Sequence, residues 1–182
     1  MSERTSERLT LRALLRRVED LEAEKRVRAC INRYMALCDD LGEGFDLDPL
    51  MALFTPDAVW EGRGRYATTF GRLEGAEAIR AMFAKYTVPP AHFRLNAHFL
   101  TSEEIAVDGA DATGRWLMLQ TSTFASGDSQ LSSARLDVRF RRDGDGDGGG
   151  GVWRIAHFQT ERLFSRKVAE PWDAAADLPV PK

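Results

Sequence analysis

Four long β-compatible runs, divided by turn chemistry, fill the second half of this chain and restrict what it can fold into. They cover 92–107, 111–126, 129–142 and 152–164. Asp108-Gly109 joins the first two. A Gly after an Asp between β-rich segments is the strongest short hairpin signal, because Gly tolerates the positive φ of the turn. Ser126-Gly127-Asp128 makes the second joint, and the glycine-rich stretch 143–151 makes the third. Consecutive strands joined this closely pair antiparallel, and such a sheet buries at least one face. The cover must come from the residues before it.

Those residues read as helices. Over 9–41, Leu14, Val18, Leu21, Val27, Ile31, Tyr34, Met35 and Cys38 recur at steps of three and four, which makes an apolar stripe. The part before about residue 22 reads as an arm able to dock on a neighbour, and Gly42 and Gly44 end the helix. Asp48-Pro49 opens a short second helix bearing Leu50, Met51, Leu53 and Phe54, and 76–86 forms a third with Ile79, Met82 and Phe83 inward. Between them, 58–61 begins a strand and 62–75 reads as strand and turn around Tyr66 and Phe70. Helices followed by an antiparallel meander define an α+β plan. The expected organisation is an arm (1–22), one domain (23–165) and a Pro-rich tail (166–182).

The totals narrow the function. With 182 residues and a net charge of −3, the chain is one ordinary domain with no bias toward nucleic acid or an anionic membrane. No apolar run reaches the length of a membrane span, and the N-terminus lacks a signal-peptide core. Cys30 and Cys38, eight apart on one helix, cannot reach each other, which suits a reducing cytoplasm. Asp143, Asp145, Asp147 and Gly148 match the opening of a calcium loop, but Arg154 stands where that loop needs a bidentate Glu. A hairpin tip is the better reading, and no metal or organic cofactor is expected.

Candidate chemistry gathers at two places. At about 100° per residue, Asp40 falls opposite the apolar stripe of the first helix, whereas Asp39 lies at its flank beside Met35. A carboxylate at a buried margin needs a partner, and either a nearby Arg or a cavity group would serve. Tyr34 on the same helix reads equally as core or as an acid. In the first long strand, His92, Asn96 and His98 share one parity, while Phe93, Leu95, Ala97 and Phe99 share the other. Both faces of that strand therefore need cover, which predicts a homo-oligomer, dimer or trimer. Trp116, Met118 and Gln120 share a face of the next strand, and Trp153, Ile155 and His157 share one of the last. With Trp60 and Tyr66, these read either as walls suited to a flat, hydrophobic small molecule or as plain core, and core packing is the better reading for Trp153. Arg135 and Asp137 pair either in a cavity or across the exposed sheet.

Tyr34 and Asp39, LFTPDAVWEG at 53–62, GRLEGAEAI at 71–79, HFLTSEEIAVDGADATGRW at 98–116 and VWRIAHFQTERLF at 152–164 together resemble the SnoaL-like proteins. These belong to the nuclear-transport-factor-2-like superfamily with its cystatin-like fold, whose enzymes include scytalone dehydratase, bile acid 7α-dehydratase and hexachlorocyclohexane dehydrochlorinase. The resemblance spans roughly 22–165. It implies a curved, mostly antiparallel sheet wrapped on three helices into a cone with an internal pocket. It also implies an Asp–His dyad with a nearby Tyr, carried over onto Asp39, His98 and Tyr34, with His92 as the alternative histidine. Ser102-Glu103-Glu104 departs from the plain strand expected there. The activity implied is a cofactor-independent dehydratase-like lyase or isomerase acting on a hydrophobic, polycyclic or steroid-like molecule. A non-catalytic binder of the same fold is the alternative, and an assembly module is a third reading.

Overall fold

The computed structural model describes residues 2–144 and 151–174, and side chains from residue 10 onward. Its elements are helix α1 (Ser2–Asp39), α2 (Asp48–Met51), strand β1 (Phe54–Arg63), a 3-10 turn (Gly64–Tyr66), α3 (Ala67–Phe70), β2 (Arg72–Glu74), α4 (Ala76–Ala84), and strands β3 (Phe93–Asp108), β4 (Asp111–Phe124), β5 (Ser129–Asp143) and β6 (Val152–Val168). Asp145, Asp147 and Gly148 of the calcium-loop comparison lie outside the described residues.

The four long strands form the expected antiparallel meander, and the six-stranded sheet runs β2-β1-β6-β5-β4-β3. β1 lies parallel to β6, so the sheet is mixed. β4 shows why this face is buried: Ala112, Gly114, Trp116, Met118 and Ser122 point inward and alternate with exposed Arg115, Leu117 and Leu119. α1 lays Val27, Ile31, Tyr34, Met35 and Cys38 on that face, all at most 6% exposed. Ile79 and Phe83 of α4 and Leu50 of α2 complete the core.

Two stretches depart from their local sequence pattern. The stretch 62–75 is not mainly strand, since Gly64–Phe70 forms two short helical turns and only Arg72–Glu74 pairs with β1. The second helix also ends at Met51, so Phe54 and the Thr55-Pro56-Asp57 segment belong to the strand. Tyr66 and Phe70 meet edge to face at 5.1 Å, and Phe70 meets Trp60 in the same way at 5.2 Å. Burying those rings against the strand outweighs the local β pattern.

Gly62 lets this corner close. Its N–H donates to the Gly71 carbonyl at 2.9 Å, and a Cβ there would lie 2.3 Å from the Tyr66 carbonyl oxygen. Backbone cannot yield as a side-chain tip does. Gly62→Ala is expected to lower stability by about 1–3 kcal/mol, read as a lower urea midpoint at unchanged slope.

Candidate active site

The last turn of α1 and the first half of β3 meet through paired contacts. Asp39 Oδ1 lies 2.5 Å from His98 Nδ1, and the same carboxylate accepts the His98 backbone N–H at 3.0 and 3.3 Å. One residue back on the helix and two back on the strand, Asn96 Nδ2 donates to the Cys38 carbonyl at 3.3 Å. The Asn96 oxygen in turn accepts Gln120 Nε2 and Ser122 Oγ, each at 2.8 Å, and Ser132 Oγ donates to Gln120 Oε1 at 3.3 Å. This chain of donors leaves the Asn96 amide one orientation. It clamps the helix end to the strand beside the Asp39–His98 contact.

The side chains of His98 and Asp39 are only 12% and 26% exposed, so the pair is largely removed from water. A carboxylate accepts, so the ring proton shared with Asp39 sits on Nδ1. Nε2 is then the nitrogen left with a lone pair. His98 lines a cavity of about 250 Å³ together with Tyr34, Cys38, Trp60, Tyr66, Met118, Gln120 and Phe158. Trp60 stacks on Phe158 at 5.6 Å, and Tyr34 leans on Phe158 at 4.9 Å. The walls are aromatic and thioether groups, with polar points at Asn96, Gln120, Ser122 and Gln130.

Tyr34 accepts the Trp60 indole N–H at 3.1 Å. Burial pushes its hydroxyl far above the ordinary tyrosine range, so it stays a proton donor. Burial likewise raises the Cys38 thiol to about 12, which makes Cys38 a wall and not a nucleophile. Cys30, also buried, is raised to about 12 for the same reason.

Among the residues singled out from sequence, Tyr34, Trp60, Tyr66, Asn96, His98, Met118 and Gln120 face one cavity, and Asp39 stands directly behind His98. His92 lines the same cavity, edge-on to Tyr86 at 5.2 Å and to Phe124 at 5.4 Å, while the Asp39 carboxylate goes to His98. Two candidates fall elsewhere. Trp116 packs beyond the cavity against Phe140, its indole N–H donating to Glu103 at 3.2 Å. His157 is on the opposite sheet face. The register shifts between Ile155 and His157, the β-bulge of the β5–β6 pair, so the period-2 extrapolation from Trp153 and Ile155 fails after Ala156. Arg135 and Asp137 are also on the outer face, in separate ion pairs with Glu161 and Arg115.

Cavity residues the sequence reading missed include Ser122 and Phe124, which continue the parity of Met118 and Gln120, and Phe93. The pairing of Phe93 with Phe124 precedes a register shift before Leu95, so Phe93 turns inward although its parity pointed out. A second shift, at Ser102 with φ of 52°, lies between Thr101 and Glu104. It swings Glu103 inward to accept from Arg28 of α1 at 2.7 Å, which explains the irregular Ser-Glu-Glu run. Among the described residues no three His, Cys, Asp or Glu side chains converge as a metal donor set.

On the outer face, His157 Nε2 lies 3.6 Å from Glu61 and has no hydrogen-bond partner. Burial lowers its pKa below the ordinary 6.5. Burial alone would raise Glu61, but hydrogen bonds from Arg63, Arg72 and Gln159 outweigh it and bring the carboxyl down to about 2. The folded state thus holds His157 neutral where the unfolded chain begins to bind a proton. Its contribution is fully present above pH 6.5 and is lost as pH falls below it, and that of Glu61 is lost below 4.5. We expect urea midpoints to fall from pH 7.5 to 5.5 in the natural chain and to fall less in His157→Gln.

A family model for a SnoaL-like domain matches residues 19–159. No functionally curated protein matches the sequence. Solved structures show the same fold. A type-3 hexachlorocyclohexane dehydrochlorinase from Novosphingobium barchaimii is 16% identical, with a TM-score of 0.66 over 90% of this chain and 99% of that one. A candidate scytalone dehydratase from Novosphingobium aromaticivorans is 14% identical, with a TM-score of 0.66 over 86% and 97%. An NTF2-like protein with a cystatin-like fold from Novosphingobium aromaticivorans is 25% identical, with a TM-score of 0.56 over 91% and 90%.

Proposed function

Because the chain belongs to the SnoaL-like domain family, we propose that it is a dehydratase-like lyase or isomerase that works on a small hydrophobic molecule through Asp39 and His98. The observation that carries this reading is the 2.5 Å contact between those side chains at the wall of an aromatic cavity. His98 Nε2 takes a proton from a carbon of the bound molecule as the C–C double bond forms and the C–O bond breaks. The imidazolium then returns the proton to the departing oxygen, which leaves as water. The Asp39 carboxylate fixes the Nδ1–H tautomer and offsets the charge on the ring. Tyr34, a protonated donor in the same cavity, is suited to hydrogen-bond a substrate oxygen as charge develops there.

A cavity of about 250 Å³ lies below the ~300–1,000 Å³ usual for ligand pockets. It suits one or two rings better than four fused ones. Unpaired, buried Cys30 and Cys38 fit a reducing cytoplasm. No described helix is long and apolar enough to cross a membrane.

For assembly, the outer sheet face is the surface to cover. Phe99 is 53% exposed opposite Leu119, itself 39% exposed, and Phe164, 42% exposed, lies beyond the small buried Ser133 that pairs with both Leu119 and Phe164. Contiguous apolar exposure of this kind marks an interface, so the reading includes a homo-oligomer.

The test of the activity is incubation with a library of hydrophobic hydroxy-carbonyl compounds, followed by mass spectrometry. Loss of water or an isomerised product supports the reading. Saturable binding with every ligand recovered unchanged supports the non-catalytic binder instead.

A further inference from the structure

The N-terminal part of α1 carries an apolar seam that its own domain does not cover. Leu11, Leu14, Val18 and Leu21 are each 55–57% exposed, and Leu15 is 53% exposed. Their spacing of three, four and three residues is that of the a and d positions of a heptad, with Val18 at a and Leu14 and Leu21 at d. A β-branched residue at a with Leu at d favours two strands.

The seam's direction excludes the chain's own sheet. At about 100° per residue, the seam is centred roughly 150° around the helix from the face bearing Val27, Ile31, Tyr34 and Cys38, which is buried against the sheet. One helix therefore presents two apolar faces on opposite sides, the second beginning where the first stops. Two copies set seam to seam would carry their sheets on opposite, outward sides, leaving room for both bodies at one end of the pair.

The flanking charges fit a copy of the same segment. Taking Leu11 as a, Arg17 falls at g and Glu22 at the following e. In a parallel two-stranded coil, g of one helix meets e of the next heptad on its partner, so Arg17 and Glu22 pair across the seam twice by symmetry. An antiparallel pair would instead set Arg17 against Arg17. A membrane surface would favour a basic polar face, whereas this segment also carries Glu19, Asp20, Glu22 and Glu24.

We infer that residues 11–22 form a parallel two-stranded coil with a second copy of this chain. The family match begins only at residue 19, so most of the seam is additional to the family's domain. The contact is separate from the outer sheet face proposed above as an interface.

The experiment uses the full-length chain. Leu14→Cys places a thiol at d, where a parallel coil brings it against its own copy, and Arg16→Cys places one at f, facing away. Mild oxidation should give a disulfide-linked dimer for Leu14→Cys and none for Arg16→Cys. The natural chain is the control, since Cys30 and Cys38 are buried. The same result is expected in the background of Leu119→Glu, which disrupts only the outer sheet face. Arg17→Glu should raise the dimer dissociation constant, measured by sedimentation, about tenfold, and adding Glu22→Arg should restore it. No cross-link from Leu14→Cys, equal cross-linking from Arg16→Cys, or failure of the double charge swap to rescue would each overturn the inference. So would a chain that remains monomeric yet sediments with anionic lipid vesicles.

Discussion

His98→Ala is expected to reduce turnover by roughly 100- to 10,000-fold, the usual effect of losing a positioned acid–base group, while ligand affinity changes little. The asymmetry follows from the cavity. In the proposed mechanism affinity would come from the cavity walls, Trp60, Tyr66, Phe158 and Met118 among them, which the substitution leaves in place, whereas proton transfer would run through one ring nitrogen. The loss should fall on kcat, because the imidazole acts where bonds change and not where the ligand first docks. The fold should survive, although the ring also fills part of the wall. The His98 backbone N–H still reaches Asp39, and the Asn96–Cys38 clamp is untouched. Kinetics and calorimetric binding on the same ligand separate the two quantities.

Asp39→Asn should be nearly as damaging, for a different reason. The amide has the shape of the carboxylate, and its oxygen can still accept the His98 backbone N–H. Oδ1 is the atom that meets both the His98 backbone N–H and Nδ1. An amide oxygen in that place sets the NH2 against the backbone N–H that Oδ2 now faces, and an amide turned the other way sets the NH2 against Nδ1. The first arrangement opposes two donors; the second moves the ring proton to Nε2, and the lone pair that faces the cavity is lost. In either, the charge that offsets an imidazolium is gone. We expect a fall on the order of a thousand-fold in kcat. Stability should change by no more than about 1–3 kcal/mol, the range for one altered buried polar contact. Asp39→Glu, which keeps the charge but displaces it, should recover part of the loss only if charge as well as tautomer matters.

Much of the architecture is legible in the sequence because the strands obey their turns. Asp108-Gly109 and the strict alternation from Ala112 to Met118 fix β4 and its inward face, and the wheel position that separates Asp39 from Asp40 matches their exposures. What is hidden lies at the bulges. One extra residue moves every later side chain to the other face, and no local signal announces it. That is why Phe93 turns into the cavity, why Glu103 reaches α1, and why His157 leaves the site for Glu61. The parallel pairing of β1 with β6 is a tertiary choice that periodicity does not carry. The helical turns at 64–70 likewise follow from ring packing against Trp60, which a local propensity cannot anticipate.

In the proposed mechanism His98, held by Asp39, moves a proton to and from carbon inside this cavity. The measurement closest to it is proton NMR in D2O on a ligand drawn from the hydroxy-carbonyl library. Loss of the signal from the proton next to the carbonyl, by exchange or by elimination, reports the transfer itself. The proposed mechanism requires that the natural chain remove that signal catalytically, that His98→Ala do so at least about 100-fold more slowly, and that both bind the ligand equally. A natural chain that binds the ligand and leaves the carbon-bound proton unexchanged, or a His98→Ala variant that exchanges it at the natural rate, would contradict it.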